Sequence, residues 1–347
     1  MTLLDGSRHS GSGTLVRFGV ALAALRGEPL HITHARARRP KPGLRAQHVA
    51  ALKACAELCE GSVEGAEIGS QEVRFRPGPR IRGGVRSFVI GTAGSTTMLA
   101  LGLLPMACFA DSLLDATLIG GVFQDFAPSP HHFQHVLLPA LAPMGVRATL
   151  EIVRAGYPPA GEGELRLRVE PVRGALAPFE RLAAGAVRRV DGVAFASHLA
   201  EARVATRMAA SCREALVAGG IDADIAIECV EDAASAQPGA SLAVWADTSA
   251  GFRLGADRAG AHGRSSESIG RHVAGSLLAD LASGAATDRH LADQLVLFAA
   301  LARGRSRWTV PQVTDHVESN AWLATLFGAR ARCEGKVVEV EGIGLAR

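Results

Sequence analysis

Residues 313–320, VTDHVESN, place one imidazole among hydroxyls, acids and an amide. A neutral imidazole can attack phosphorus and hold a phosphoryl or nucleotidyl group covalently, and its unperturbed pKa of about 6.5 means that little activation is needed near neutrality. His316 is therefore a candidate nucleophile, although one histidine among twelve also fits a purely structural role. At the other end of the chain, DGSRHSGSGTLVR joins glycines and hydroxyls to the start of a helix, where free backbone N–H groups can hold phosphate. No Gly-Lys-Ser/Thr closes this turn and its glycines fall at 6, 11 and 13, so neither the Walker nor the dinucleotide pattern fits, and a plain tight turn explains it too. Arg17 lies one helical turn beyond Gly13 and points toward the same mouth.

Arg36 and Arg39 fall where a strand gives way to a loop, and paired guanidinium donors suit a terminal phosphate. A surface arginine pair is the competing reading. HHFQH sets His131 and His135 at i, i+4, superficially a metal pair, yet no acid follows and no third ligand is evident.

The elements that must position these residues alternate. GTLVRFGVALAALRG reads as a helix stopped by Gly27, LHITHARA as a strand, LRAQHVAALKACAELC as a helix with Val49, Leu52, Ala56 and Cys59 on its apolar face, and SQEVRFRPG as another strand. A similar succession around 95–155 hints at repeated units. Phe88 to Ala110 is uncharged, but small polar residues in its first half and Pro105 in its second make it a buried strand, turn and interrupted helix rather than a membrane span. From 184 to 283 the texture becomes rich in alanine and acids. This stretch is read as a small inserted αβ domain within a large catalytic domain, 1–183 and 284–347, and the glycine-rich GADRAGAHGRSSES is read as the return. The helix HLADQLVLFAALARG then leads to His316. The fold class is α/β (α+β).

The chain has 347 residues, 48% hydrophobic and 20% charged, enough for a large core. A net charge of +3 does not by itself argue for nucleic acid, but its distribution is uneven. Arg36, Arg38, Arg39, Lys41, Arg45 and Lys53 occur between 29 and 53 with no carboxylate, and five arginines occur between 73 and 86, again with none. Two basic segments suggest a partner carrying phosphate. Six cysteines without an even framework suggest a reduced, cytoplasmic setting, with Cys55 and Cys59 as core thiols. MTLLDGSRHS holds no apolar run of signal-peptide length, and no membrane role is expected.

Taken in order, DGS with GSGTLVR, RARRPKPGLRAQH, EGAEIGSQEVRFRPG, GTAGS, GG at 120 with AP at 127, GYPPAGEGE, SES, LADQL and TVPQVTDHVESN resemble the RNA 3′-terminal phosphate cyclases nearly end to end. The resemblance implies repeated units of two helices on a four-stranded sheet with a small αβ insertion. It also implies a reaction on RNA 3′-phosphate ends using ATP and a divalent metal, Mg or Mn. A histidine attacks the α-phosphorus of ATP, AMP passes to the RNA 3′-phosphate, and the vicinal 2′-hydroxyl closes a 2′,3′-cyclic phosphate. The family nucleophile falls on His316. ATP-contacting positions fall on Pro128, His290, Leu291, Ala292, Asp293 and Gln294, and phosphate or RNA positions on Arg17, Arg36, Arg39, Gln47 and His48.

Departures from the family pattern are also visible. Ser10, Ser12 and Thr14 stand where a glutamate helps to hold the metal, so no residue set is assigned to the metal. Leu101 replaces a glutamine, His290 a tyrosine, and Glu162 a glycine, the last a candidate stand-in for the missing carboxylate. These changes keep two other readings open: a catalytically impaired RNA-binding member acting in RNA processing or ribosome assembly, and a nucleotidyltransferase for another phosphate end.

Overall fold

The computed structural model describes residues 1–346. Its first unit is β1 (Thr2–Asp5), α1 (Gly13–Arg26), β2 (Leu30–Thr33), α2 (Ala46–Leu58), β3 (Ser62–Glu64) and β4 (Val73–Arg76). β1 and β2 are parallel, which a hairpin cannot join, so α1 supplies the crossover. The other pairings are antiparallel and the sheet order is β1-β2-β4-β3.

The second unit repeats this plan with β5 (Gly84–Val89), α3 (Thr96–Ala107), β6 (Leu114–Gly120), a broken helical run, β7 (Arg147–Arg154) and β8 (Gly163–Glu170), in the order β5-β6-β8-β7. The run consists of α4 (Pro130–His132), a π turn over Phe133–Leu137, α5 (Leu138–Leu141) and a final 3₁₀ turn. After β9 (Glu180–Arg181) comes a further sheet with two helices: β10 (Val187–Ser197), α6 (Val204–Ala218), β11 (Asp224–Asp232), β12 (Gly239–Thr248), β13 (Leu254–Ala259) and α7 (Ser266–Ala282). Its order is β11-β10-β12-β13, and it has its own apolar cluster around Met208, Leu216, Leu242 and Leu277. The third unit then continues with α8 (Leu291–Leu301), β14 (Arg303–Thr309), α9 (Asp315–Leu326), β15 (Arg330–Glu334) and β16 (Val337–Ile343). Its order, β9-β14-β16-β15, is the same plan a third time. The repetition hinted at by the sequence is thus one of strand topology, and the mixed α/β class holds.

In each of the three units the helix after the first strand is buried nearly all round. α1 is buried from Gly13 to Ala24, α3 except at Met98, and α8 except at Asp293. A helix apolar on every face must be enclosed by others. α1 accordingly touches α2, α3 and α9, while α8 touches α9. Ser12, Ser95 and Thr314 cap α1, α3 and α9, and Gly27 ends α1 in the left-handed region that its lack of a side chain permits.

Three local expectations change. β2 ends at Thr33, not at Ala37, because His34 and Arg36 take left-handed backbone angles that break a strand. Pro105 does not interrupt α3, which runs to Ala107: so close to the helix end, proline deprives only the Leu101 carbonyl of its i+4 donor, and burial holds the rest. GADRAGAHGRSSES is not the return from the inserted sheet. It supplies part of β13, a turn and the start of α7, and the chain leaves that sheet only after Ala282, because turn residues mark any strand-to-helix connection alike. No helix of the described residues is long and apolar enough to cross a membrane.

Candidate active site

The few polar side chains on the buried helices converge. Arg17 on α1 is 4% exposed; its Nη2 reaches only Met98 Sδ at 3.3 Å and its Nε has no partner. Burial lowers it to about 10, with Asp293 opposing and Arg36 adding to the shift. On α8, burial raises Asp293 to about 7 against the pull of Arg17 and Asn320, so near neutrality its carboxyl can donate as well as accept. Asn320 Nδ2 of α9 donates to Asp293 O at 2.8 Å and to its Oδ2 at 3.2 Å. Gln294 Oε1 and Asn320 Oδ1 are buried without partners, as is Arg17 Nε. Unsatisfied polar atoms cost about 1–3 kcal/mol each, so those on Arg17 and Asn320, both facing Asp293, mark a place suited to a polar ligand.

His316 stands in the first turn of α9, half-buried. Burial first, then Arg39, Arg17 and His290, hold its imidazole below the ordinary value, while Asp315 opposes them. The ring is therefore neutral at pH 7, the state in which a lone pair is available.

α2 contributes Gln47 and His48. Gln47 Oε1 accepts from Ser95 N at 2.9 Å, and His48 Nδ1 accepts from Arg45 N at 3.1 Å, which leaves the proton on Nε2. Burial, Arg17 and Arg36 push His48 down to about 2, so it stays neutral. A Cβ on Gly13 would lie 2.0 Å from His48 Nε2, so only glycine allows α1 to begin there. Arg36 donates from Nη1 to the carbonyls of Lys41 and Gly43, a role that shapes its own loop, while Arg39 is exposed.

The two basic segments turn out to differ. In the second, Arg74, Arg82 and Arg86 pair with Glu72, with Glu60 and Asp111, and with Glu57. In the first, among the described residues, none of the six cations pairs with a carboxylate, because the acids that could neutralise them lie elsewhere in the fold. The first is thus the less neutralised of the two, and its Arg39 acts on His316.

Other sequence candidates sit apart from this cluster or at its rim. Leu291 and Ala292 are 0% exposed, with side chains in the core, and the Ala292 carbonyl accepts from Trp308 Nε1 at 3.3 Å. His290 is exposed at the start of α8, and Pro128 is buried just before α4. Leu101 lies in the core of α3. Glu162 has φ +52, which accounts for a glycine being suited to that position, and its exposed carboxylate makes no hydrogen bond or ion pair among the described residues. The His131 and His135 rings are 6.3 Å apart, with His135 stacked at 4.0 Å on Trp245. Among the described residues no group of three or more His, Cys, Asp or Glu is placed to hold a metal.

Two arrangements escaped the sequence reading. Ser319, one turn after His316, donates to Ser10 Oγ at 2.7 Å, and Ser10 Oγ donates to Ser12 Oγ at 3.0 Å. This hydroxyl chain ties the first loop to α9, and His9 packs on Trp322 at 5.1 Å. Nothing local in VTDHVESN pairs Ser319 with a residue 309 positions away. The second is a buried pair, His132 Nε2 with Asp288 Oδ2 at 3.1 Å. Asp288 also accepts from Gly255 N of β13 at 2.8 Å and from His290 N and Leu291 N at 2.7 and 2.8 Å, so it caps α8 while holding the inserted sheet.

A buried arginine on α1, a carboxyl raised to about 7 on α8 and a neutral imidazole at the start of α9, from the first and third units, define an α/β protein with a polar cluster beside unpaired arginines. A family model described as RNA 3′-terminal phosphate cyclase matches residues 8–332, and the chain belongs to that family. The RNA 3′-terminal phosphate cyclase of Methylococcus capsulatus is 41% identical over 100% of this chain and 96% of its own length. Those of Pyrobaculum aerophilum and Archaeoglobus fulgidus are 36% and 38% identical, each over 99% of this chain and 99% and 98% of their own lengths. A solved enolpyruvyl transferase of Streptomyces tendae shares 16% identity with a TM-score of 0.27, too low to bear on the fold.

Proposed function

We propose that the protein converts an RNA 3′-terminal phosphate to a 2′,3′-cyclic phosphate at the expense of ATP, with His316 as covalent nucleophile. The observation that carries this reading is the neutral, half-buried His316 in reach of Arg17 and Arg39. Its ring nitrogen attacks the α-phosphorus of ATP and pyrophosphate leaves. A 3′-phosphate oxygen of RNA then attacks the AMP phosphorus, displacing the imidazole. The vicinal 2′-hydroxyl attacks the activated 3′-phosphate and AMP leaves, a far better leaving group than an oxide. In this reading Asp293, Gln294 and Asn320 take polar groups of the nucleotide, Arg17 its phosphates, and Arg39 with His48 the RNA phosphate, while residues 1–183 and 284–347 form the catalytic domain around an insert of 184–283. A cytoplasmic setting is part of the same reading.

Among the described residues none make a protein-only cage for a divalent metal. Magnesium keeps water and binds through substrate phosphates with one or two carboxylates, so no step is routed through it. Ser10→Glu tests the family position directly: the magnesium concentration giving half-maximal adenylylation falls. An unchanged requirement places the metal elsewhere.

Arg39 gives a pH test. Its charge helps to hold His316 below the ordinary value, so Arg39→Ala raises the pKa and protonates more imidazole at a given pH. The acid limb of His316 adenylylation moves to higher pH, and cyclisation is lost while label transfer persists at alkaline pH. An unmoved limb with intact cyclisation removes Arg39 from the site.

A further inference from the structure

Phe126 is 100% exposed and has φ +65, a left-handed backbone that aromatic residues rarely adopt. Its loop, between β6 and α4, is nevertheless anchored on both sides. Asp125 meets Arg264 through two bonds of 3.1 and 2.8 Å, and Ser129 N donates to Asp257 Oδ2 at 2.7 Å. Oriented to satisfy both of its ends, the Gln124 amide donates to Ala93 O at 2.9 Å and accepts from Ser95 N at 2.8 Å. Ser95 N is also the donor to Gln47, so the Phe126 loop is continuous with the wall that holds His48. A fixed loop thus holds an apolar ring in water, where burial of such a side chain would be worth about 1.5–3 kcal/mol.

Arginines gather around Asp125, the chain neighbour of the ring. Asp125 feels Arg264, Arg258 and His272, and His272 in turn feels Arg258, Arg264 and Arg289. Arg264 and Arg289 are paired with Asp125 and Asp280. The Arg258 side chain of β13 makes no hydrogen bond or ion pair of its own among the described residues, and Asp125, whose charge it feels, is taken up by Arg264, so Arg258 stays available. An open aromatic face beside an unpaired arginine matches a strand whose bases are free to stack and whose phosphates run alongside. A duplex offers no such base face. The adenine of ATP fits less well, since a fully exposed ring is not the wall of an enclosed pocket.

We infer that the RNA strand leading to the 3′ end crosses this surface as a single strand, stacking one base on Phe126 and running its phosphates past Arg258. This rests on the proposed RNA 3′-phosphate substrate. The test is fluorescence polarisation, without ATP, of a labelled 3′-phosphorylated oligoribonucleotide about ten nucleotides long, within the usual span of such sites. Phe126→Ala weakens binding about tenfold, within the range of one lost stack, and Phe126→Trp restores it. Arg258→Ala weakens binding and flattens its salt dependence. Equal affinity of wild type and Phe126→Ala overturns the inference, and so does an equal loss of ATP affinity in Phe126→Ala, which would place adenine on the ring. Adenylate transfer from labelled ATP, read in parallel, separates the two readings. Wild type without label but with Phe126-dependent RNA binding overturns the cyclase chemistry and leaves the surface standing, whereas labelled wild type with RNA affinity indifferent to Phe126 overturns the surface alone.

Discussion

His316→Ala abolishes transfer of label from α-labelled ATP to the protein, and RNA cyclisation falls by a factor on the order of 10⁴ or more, as expected when a nucleophile is removed. The wild-type adduct is a phosphoramidate, so its label is lost in acid and kept in alkali. The side chain is half-buried in the first turn of α9, and the Thr314 cap and the Asp293–Asn320 contact do not involve it, so the fold survives the change. Label retained in the alanine variant would move the nucleophile to another residue and dissolve the proposed mechanism. Absence of label in both proteins, with magnesium or manganese, would favour the RNA-binding reading, with the hydroxyls of Ser10 and Ser12 in place of an acid as the reason.

The second large effect falls away from the chemistry. Asp288→Ala deprives His132, Gly255 N, His290 N and Leu291 N of their acceptor at once, and His132→Ala leaves a buried carboxylate without its ion. Breaking a buried pair by removing one member costs about 3–5 kcal/mol, and Asp288→Ala is expected to be the worse of the two. Urea unfolding reads this as a lowered midpoint at unchanged slope. A midpoint shift under the equivalent of about 1 kcal/mol would show that the pair is dispensable. The pH dependence follows from the two shifts. Burial opposes the charge on His132, but Asp288, Asp257 and Asp293 outweigh it and raise the pKa. Its contribution is therefore complete below the unfolded value of about 6.5 and is lost as pH rises through the higher folded value. Asp288 is lowered to about 2 by His132, His290 and its backbone donors despite burial, so its contribution is present above about 3.9 and is lost as pH falls toward 2. Because Asp288 caps α8, the same variants displace Asp293 and Gln294, and on the proposed reading the KM for ATP rises.

Much of the chain could be read from local pattern. α1 ends where Gly27 permits a left-handed turn, α9 begins at Thr314, and the alternation of helices and strands follows apolar spacing, because these features depend on neighbours within one or two turns. The ordered motifs from DGS to TVPQVTDHVESN carried the family resemblance, which the match over 8–332 bears out. His316 and Arg17 stood out by residue type and position, the one an imidazole among polar residues and the other a charge on an apolar helix beside a glycine turn, whereas Asp293 was picked out only through the resemblance.

Tertiary structure decided what depends on charges and donors distant in sequence. Both basic segments look alike in the sequence, yet Glu57, Glu60, Glu72 and Asp111 neutralise much of one and leave the other free. Leu291 and Ala292 share a motif with Asp293, but the helical period turns their side chains to the core and that of Asp293 toward Asn320. Ser319 finds Ser10, and Asp288 finds His132, across 309 and 156 residues, where no local signal operates. Local pattern thus determined the elements and the family of this protein, whereas electrostatic neighbours, which only the packing of three sheets and an insertion brings together, decided which of its polar residues are held in structure and which are left for ligands.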